Sequence, residues 1–271
     1  MIAAILLAGT ALAASAAGLQ PSWVLPPSAE ATAADAVLAG VDPSGAAWLV
    51  LDGRIIAAPE GNVVLLADRA IQQLAWIGSK PVVRSFEALG TFVPGAPDAK
   101  GPPEARFKPI TTVPLTSWRM APAGAEDVYV AGYNPRKRLS QIAVVGSSAG
   151  SKPLRVLYET PAQIADVAGD GTTSYFASGP AIWKVDAEGS ASVYSSHARP
   201  VRSIAAAPGG GLFFVTDTVV GYAGKSAPFN LLRCSRCRIS VRDDDLYVLF
   251  NGPRGGLLRV RGVRSLAEAG W

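Results

Sequence analysis

The feature that most restricts how this chain can fold is a segment that returns about every 40 residues. One copy reads AAPGGGLFFVTD (206–217): a Pro-Gly turn, an apolar strand led by bulky residues, and a stop at Asp. Similar stretches are GVDPSGAAWLVLDG (40–53), MAPAGAEDVYVAGYN (120–134), VAGDGTTSYFASG (167–179) and VRDDDLYVLFNG (241–252). Trp48, Tyr129, Tyr175, Phe213 and Tyr247 mark one position in these copies. The interval from Trp48 to Tyr129 spans two periods, and VVRSFEALGTF (82–92), anchored on Phe86, supplies the copy between them. A period of this length built from strands predicts an all-β chain folded as a six-bladed β-propeller of four-stranded antiparallel blades. One such sheet cannot cover its own faces, whereas a ring of them lets each blade shield the next and leaves only short edges.

Each unit divides into four strands, a to d, from channel to rim. In the fifth they are RSIAAA, GLFFVTD, TVVGYAG and APFNLLR; in the fourth, IADVAG, TSYFAS, AIWKVDA and SASVYSS. The counts of 28 Gly and 21 Pro fit many short strands set between turns. With 49% hydrophobic and 17% charged residues the chain can bury a large core, which excludes a disordered class. A net charge of +4 is too mild to point to nucleic acid. The propeller is expected over residues 36–271. Residues 17–35 form an N-terminal segment that can close the ring. Two stretches compete for the last outer strand: VRSLAEA (263–269) and SWVLPP (22–27). Pro26 and Pro27 suit a rim strand whose outer amides meet water, which favours the second.

The first residues, MIAAILLAGTALAASAAGLQ, are an apolar run ending in small residues, and both ALA (11–13) and ASA (14–16) meet the A-x-A rule for signal cleavage. Residues 1–16 are therefore read as a signal peptide, although no Lys or Arg precedes the apolar run, and the protein as periplasmic or extracellular. The run is short for a membrane span. In that setting Cys234 and Cys237 of RCSRCR are expected to pair as a disulfide; a redox pair, favoured by Arg233, Arg236 and Arg238, is the alternative.

The spacing of A-P-x-G, aromatic-led strand, then Asp or Asn resembles that of six-bladed propellers of the NHL-repeat, gluconolactonase and virginiamycin B lyase type, over roughly residues 36–266. In such propellers the b–c turns and the d–a links share one face, and ligands bind over the channel mouth there. The residues closing strand b are Asp52, Asn134, Asp217 and Asn251, with Ser178 in the fourth unit. This oxygen-rich set suits a hard cation, Ca²⁺ or Mg²⁺, or a polar ligand; Asp and Asn also cap tight turns for local reasons. The gluconolactonase resemblance implies a divalent metal held by Glu, Asn and Asp, but no Glu here matches that family's ligand near the start of the chain. His197, the only histidine, lies in the link SSHARP (195–200) with Arg199, and the lyase resemblance implies a general base at that position.

GSSAG (146–150) matches G-x-S-x-G, with Ser148, Asp186 and His197 in hydrolase order, but it sits in a c–d hairpin without the helix that motif needs. PGAPDAKGPPEARFKP (94–109), with five prolines, reads as an exposed excursion suited to recognition. Arg254, Arg259, Arg261 and Arg264 form a basic stripe in the last unit, fit either for an anionic partner or for a solvated outer strand. The function expected is a ligand-binding or protein-interaction scaffold for a protein, polar small molecule or glycan. The alternative is a lyase or lactone hydrolase working at the channel mouth.

Overall fold

A computed structural model describes residues 18–27, 36–51, 54–58, 62–67, 71–94, 104–146, 154–252 and 255–269. The chain is an all-β six-bladed propeller. Blade one comprises β2 (Val37–Val41), β3 (Ala47–Leu51), β4 (Arg54–Ala58) and β5 (Asn62–Ala67). Blade two follows with β6 (Gln73–Ile77), β7 (Lys80–Arg84), β8 (Ala88–Pro94) and β9 (Glu104–Thr112). Blade three has β10 (Thr116–Pro122), β11 (Asp127–Asn134), β12 (Leu139–Gly146) and β13 (Arg155–Thr160). Blade four has β14 (Asp166–Gly169), β15 (Ser174–Ser178), β16 (Ala181–Val185) and β17 (Ala191–Ser196). Blade five has β18 (Ser203–Ala206), β19 (Leu212–Val215), β20 (Val219–Ala223) and β21 (Phe229–Arg233). Blade six joins β22 (Cys237–Arg242), β23 (Asp245–Phe250) and β24 (Gly256–Arg261) to β1 (Gln20–Leu25) from the other end of the chain.

Closure is visible twice. The inner strands touch in the circuit β2, β6, β10, β14, β18, β22 and back to β2. At the rim β1 lies antiparallel to β24, with Gln20 opposite Arg261 and Trp23 opposite Leu258. The C-terminal stretch is instead a short helix, α1 (Arg264–Glu268), whose Leu266 is buried against blades five and six.

The core explains why an aromatic residue recurs. The buried apolar residues fall into six clusters, and each joins two adjacent blades. The residue leading strand b often fills that seam. Trp48 meets Trp76 of the next blade edge-on at 5.3 Å. Tyr129 lies over Gly169, where a Cβ would come within 2.3 Å of the ring. Tyr247 donates its hydroxyl to the Gly45 carbonyl at 2.9 Å, tying blade six to blade one. The repeat thus encodes a contact between units rather than within one.

Blade two departs from the sequence reading. Phe86 lies in the turn after β7 and is 64% exposed, so it is no strand anchor. Strand b of this blade is KPVVR, which has no aromatic residue. The proline-rich stretch is also only in part an excursion: residues 104–109 begin the nine-residue β9, with Phe107 buried and Pro109 beside a register shift opposite Gly90. A proline is tolerated there because the ladder is already broken. β9 runs parallel to β5 at Leu66–Glu104 and Ala67–Ala105, which fuses the first two blades at the rim. Cys234 and Cys237 form a disulfide across the link from blade five to blade six, with Cα atoms 6.1 Å apart. No helix among the described residues is long and apolar enough to cross a membrane.

Candidate functional site

The six inner strands surround a channel cavity of about 640 Å³. Its ionisable side chains gather mainly at one end. Inner strands begin on the face that carries the b–c turns and d–a links, so Asp166 and Ser203, first in β14 and β18, stand there with Arg238 near the start of β22, while Arg119 reaches the cavity from midway along β10. Arg84, last in β7, reaches the same mouth, as do Gln72 and Phe86. At the opposite end stands Arg242, 3.7 Å from Asp243.

A β-bulge aims Arg119. Thr116 pairs with Tyr133 and Arg119 with Ala131, so Ser117 and Trp118 both oppose Gly132. Ser117 takes up the extra residue with φ of 49°. Gly132 is required because a Cβ would stand 2.6 Å from that of Trp118. The bulge sends Trp118 fully into the core and turns Arg119 into the channel. Trp118 Nε1 donates to the Phe86 carbonyl at 2.9 Å, and the Arg84 guanidinium stacks over its ring 5.1 Å from the centroid. Gln73 and the Met120 backbone exchange two hydrogen bonds, 2.8 and 3.1 Å, which fixes blade two against blade three below the mouth.

The electrostatics of this mouth are unbalanced. Arg84 is only 5% exposed, and its Nε has no hydrogen-bond partner among the described residues. Burial, with repulsion from Arg119 and Arg238, holds its pKa down at about 9, partly opposed by Asp166. It remains charged at neutral pH and forms no ion pair among the described residues, with Asp166 acting on it only at longer range. Burial and Arg238 also lower the Arg119 pKa. The one carboxylate among the described lining residues, Asp166, is buried and accepts from Ser203 Oγ at 2.7 Å, Ile204 N at 3.0 Å and Val167 N at 3.0 Å. Burial raises its pKa, with those bonds and Arg119 pulling the other way. Among the described residues none of the three arginines joins an ion pair. Gln72 Oε1 is a second buried atom without a partner.

The residues singled out from the sequence lie elsewhere. Asn134 is buried and locally committed: Nδ2 donates to Gln141 Oε1 at 2.9 Å, while Oδ1 accepts from the Arg136 and Lys137 amides. Asp217 forms an exposed pair with Arg202 at 3.0 Å, which lowers its pKa, with Arg199 adding a weaker pull. Asn251 donates to the Ala36 carbonyl at 2.8 Å, and Ser178 to that of Gln163 at 2.9 Å. His197 contacts Ser195 Oγ through Nε2 at 2.9 Å and packs 4.1 Å from the Phe214 ring, where burial lowers its pKa. None of these side chains lines the channel cavity. Asp52, Ser148 and Arg254 lie outside the described residues. In the basic stripe Arg259 is held by Asp245, β24 is covered by β1, and Arg264 sits on α1, so no outer strand presents the set.

The described residues of this mouth are poorly suited to a divalent cation. Three guanidinium groups repel it, and both oxygens of Asp166 already accept hydrogen bonds. No group of three or more His, Cys, Asp or Glu is placed for a metal among the described residues.

No family model matches the chain, and no curated protein matches it by sequence. Solved structures share its fold. A gluconolactonase from Xanthomonas campestris superposes with a TM-score of 0.56 at 16% identity, over 88% of this chain and 94% of that one. A luciferin-regenerating enzyme gives 0.63 at 10% identity, over 89% and 96%. Virginiamycin B lyase from Staphylococcus aureus gives 0.51 at 13% identity, over 90% and 98%. At these identities the likeness is one of architecture.

Proposed function

We propose that this protein is an exported propeller that binds a polar small molecule in the mouth of its channel, on the face of the b–c turns and d–a links. The observation that carries this reading is Arg84: a buried, charged side chain with an orphan Nε, lining a cavity large enough for a small ligand. Buried charges without partners are costly to a fold, and a ligand that completes them gives a reason for their presence. The Cys234–Cys237 disulfide supports an oxidising compartment, the cell envelope or the outside of the cell. The lactone hydrolase or lyase reading has less behind it, because its candidate base, His197, is turned against Phe214 away from the cavity.

The test is a thermal-shift screen of the purified chain against neutral sugars, amino acids and small organic acids. At least one class should raise Tm at millimolar concentration, as ligands of the native state do. Ser240→Trp, which fills the channel from β22, should abolish that rise. A Tm indifferent to every class, or a rise that survives Ser240→Trp, contradicts the reading.

A further inference from the structure

The character of the mouth specifies its ligand further. Among the described residues, three guanidinium groups, Arg84, Arg119 and Arg238, share the space with one carboxylate, an excess of two positive charges. Guanidinium groups recognise oxyanions through charge-assisted, often forked hydrogen bonds. Arg84 has little access to water, because its guanidinium lies over the Trp118 ring and the residue is 5% exposed. Beside it the orphan Gln72 Oε1 is an acceptor, and the two residues are tied through Gln72 N to the Arg84 carbonyl at 2.9 Å. The pair therefore offers a donor and asks for one within the same corner of the cavity. Phe86 adds an exposed apolar edge at the rim.

We infer that the channel mouth takes a small organic acid with two negative charges and a hydroxyl donor, the acid groups on Arg84, Arg119 and Arg238 and the hydroxyl on Gln72 Oε1. This rests on the ligand-binding reading above and names the chemistry of the ligand. Asp166 serves as an internal counter-charge: it lowers the repulsion among the arginines while its own oxygens stay occupied by Ser203, Ile204 and Val167.

The probes are malate, succinate as the same diacid without the hydroxyl, and glucose as a neutral control, titrated calorimetrically into the full chain. Malate should bind, succinate should bind several-fold more weakly, and glucose should not bind. Arg84→Met should weaken malate at least tenfold while raising the Tm of the ligand-free protein, since it removes a buried charge that Asp166 offsets only in part and that no ion pair among the described residues holds. A residue kept for structure alone would lower Tm and leave the titration unchanged. Arg238→Met, at an exposed position, should keep Tm and still weaken malate several-fold. Malate affinity equal in wild type and both variants overturns the inference. So does glucose binding that Ser240→Trp abolishes when neither acid binds, an outcome that leaves the ligand-binding reading intact. Silence from every class of compound in the wider screen removes both.

Discussion

Two sets of polar side chains share one face of this ring and live under opposite conditions. Those at the ends of strand b, Asn134 and Asn251 above all, are tied by hydrogen bonds to neighbouring backbone or side-chain groups. Those at the mouth of the channel, Arg84, Arg119 and Arg238, are crowded with like charges; Arg119 donates to the Trp118 carbonyl at 3.2 Å, while Arg84 Nε has no partner among the described residues. Type and position of residue would suggest the first set as the binding site. Satisfaction of hydrogen-bonding capacity is the reason we propose the second set instead: a buried group without a partner gains more from a ligand than one already bonded.

Trp118→Ala should break the contrast most severely, since this fully buried ring both fills the seam between blades two and three and carries Arg84. A loss of about 3–5 kcal/mol in urea unfolding is expected, together with loss of acid binding. Asn134→Ala sharpens the contrast from the other side. Gln141 and two turn amides lose a partner, which should lower stability by about 2 kcal/mol on the same measurement while malate binding stays unchanged.

The smallest effect concerns His197. Burial lowers its pKa in the folded protein below the ordinary 6.5, so the unfolded chain takes up the proton more readily. The stability this group contributes is whole above 6.5 and is lost as pH falls through the folded value. Calorimetry between about pH 5.5 and 7.5 should show a Tm that declines on acidification, with a shallower decline in His197→Gln. If malate binding followed the same His197-dependent profile, the separation between link and mouth would fail.

Much of the ring was legible because turns and seam-filling aromatics recur together. The strands of blades four and five fall where the Pro, Gly and Asp punctuation puts them. Blade two was misread at the point where its strand b, KPVVR, has no aromatic residue, so the pattern slid onto Phe86 in the turn beyond. The stretch 104–109 looked unfit for a strand by its prolines, but a register break and pairing with β5 accommodate it.

The mouth was hidden for a different reason. An inner strand faces neither bulk water nor a single core, so its charges look like ordinary surface residues. Arg119 sits between Trp118 and Met120, both buried, and Asp166 precedes buried Val167. A charge inside an apolar run at the start of strand a is the available signal, since the channel is the only polar space that strand can reach. The bulge at Ser117 and the stacking of Arg84 on Trp118 join residues distant in sequence and leave no local trace.

The most direct measurement is anomalous diffraction from crystals soaked in selenate, an oxyanion that can be located without assumption. A site in the channel mouth, about 3 Å from Arg84 Nε and within reach of Arg119 and Arg238, is the expected result. An empty mouth with selenate scattered over surface lysines, or an Arg84 Nε bonded to a protein acceptor, would contradict the central claim that this arginine is held for a ligand.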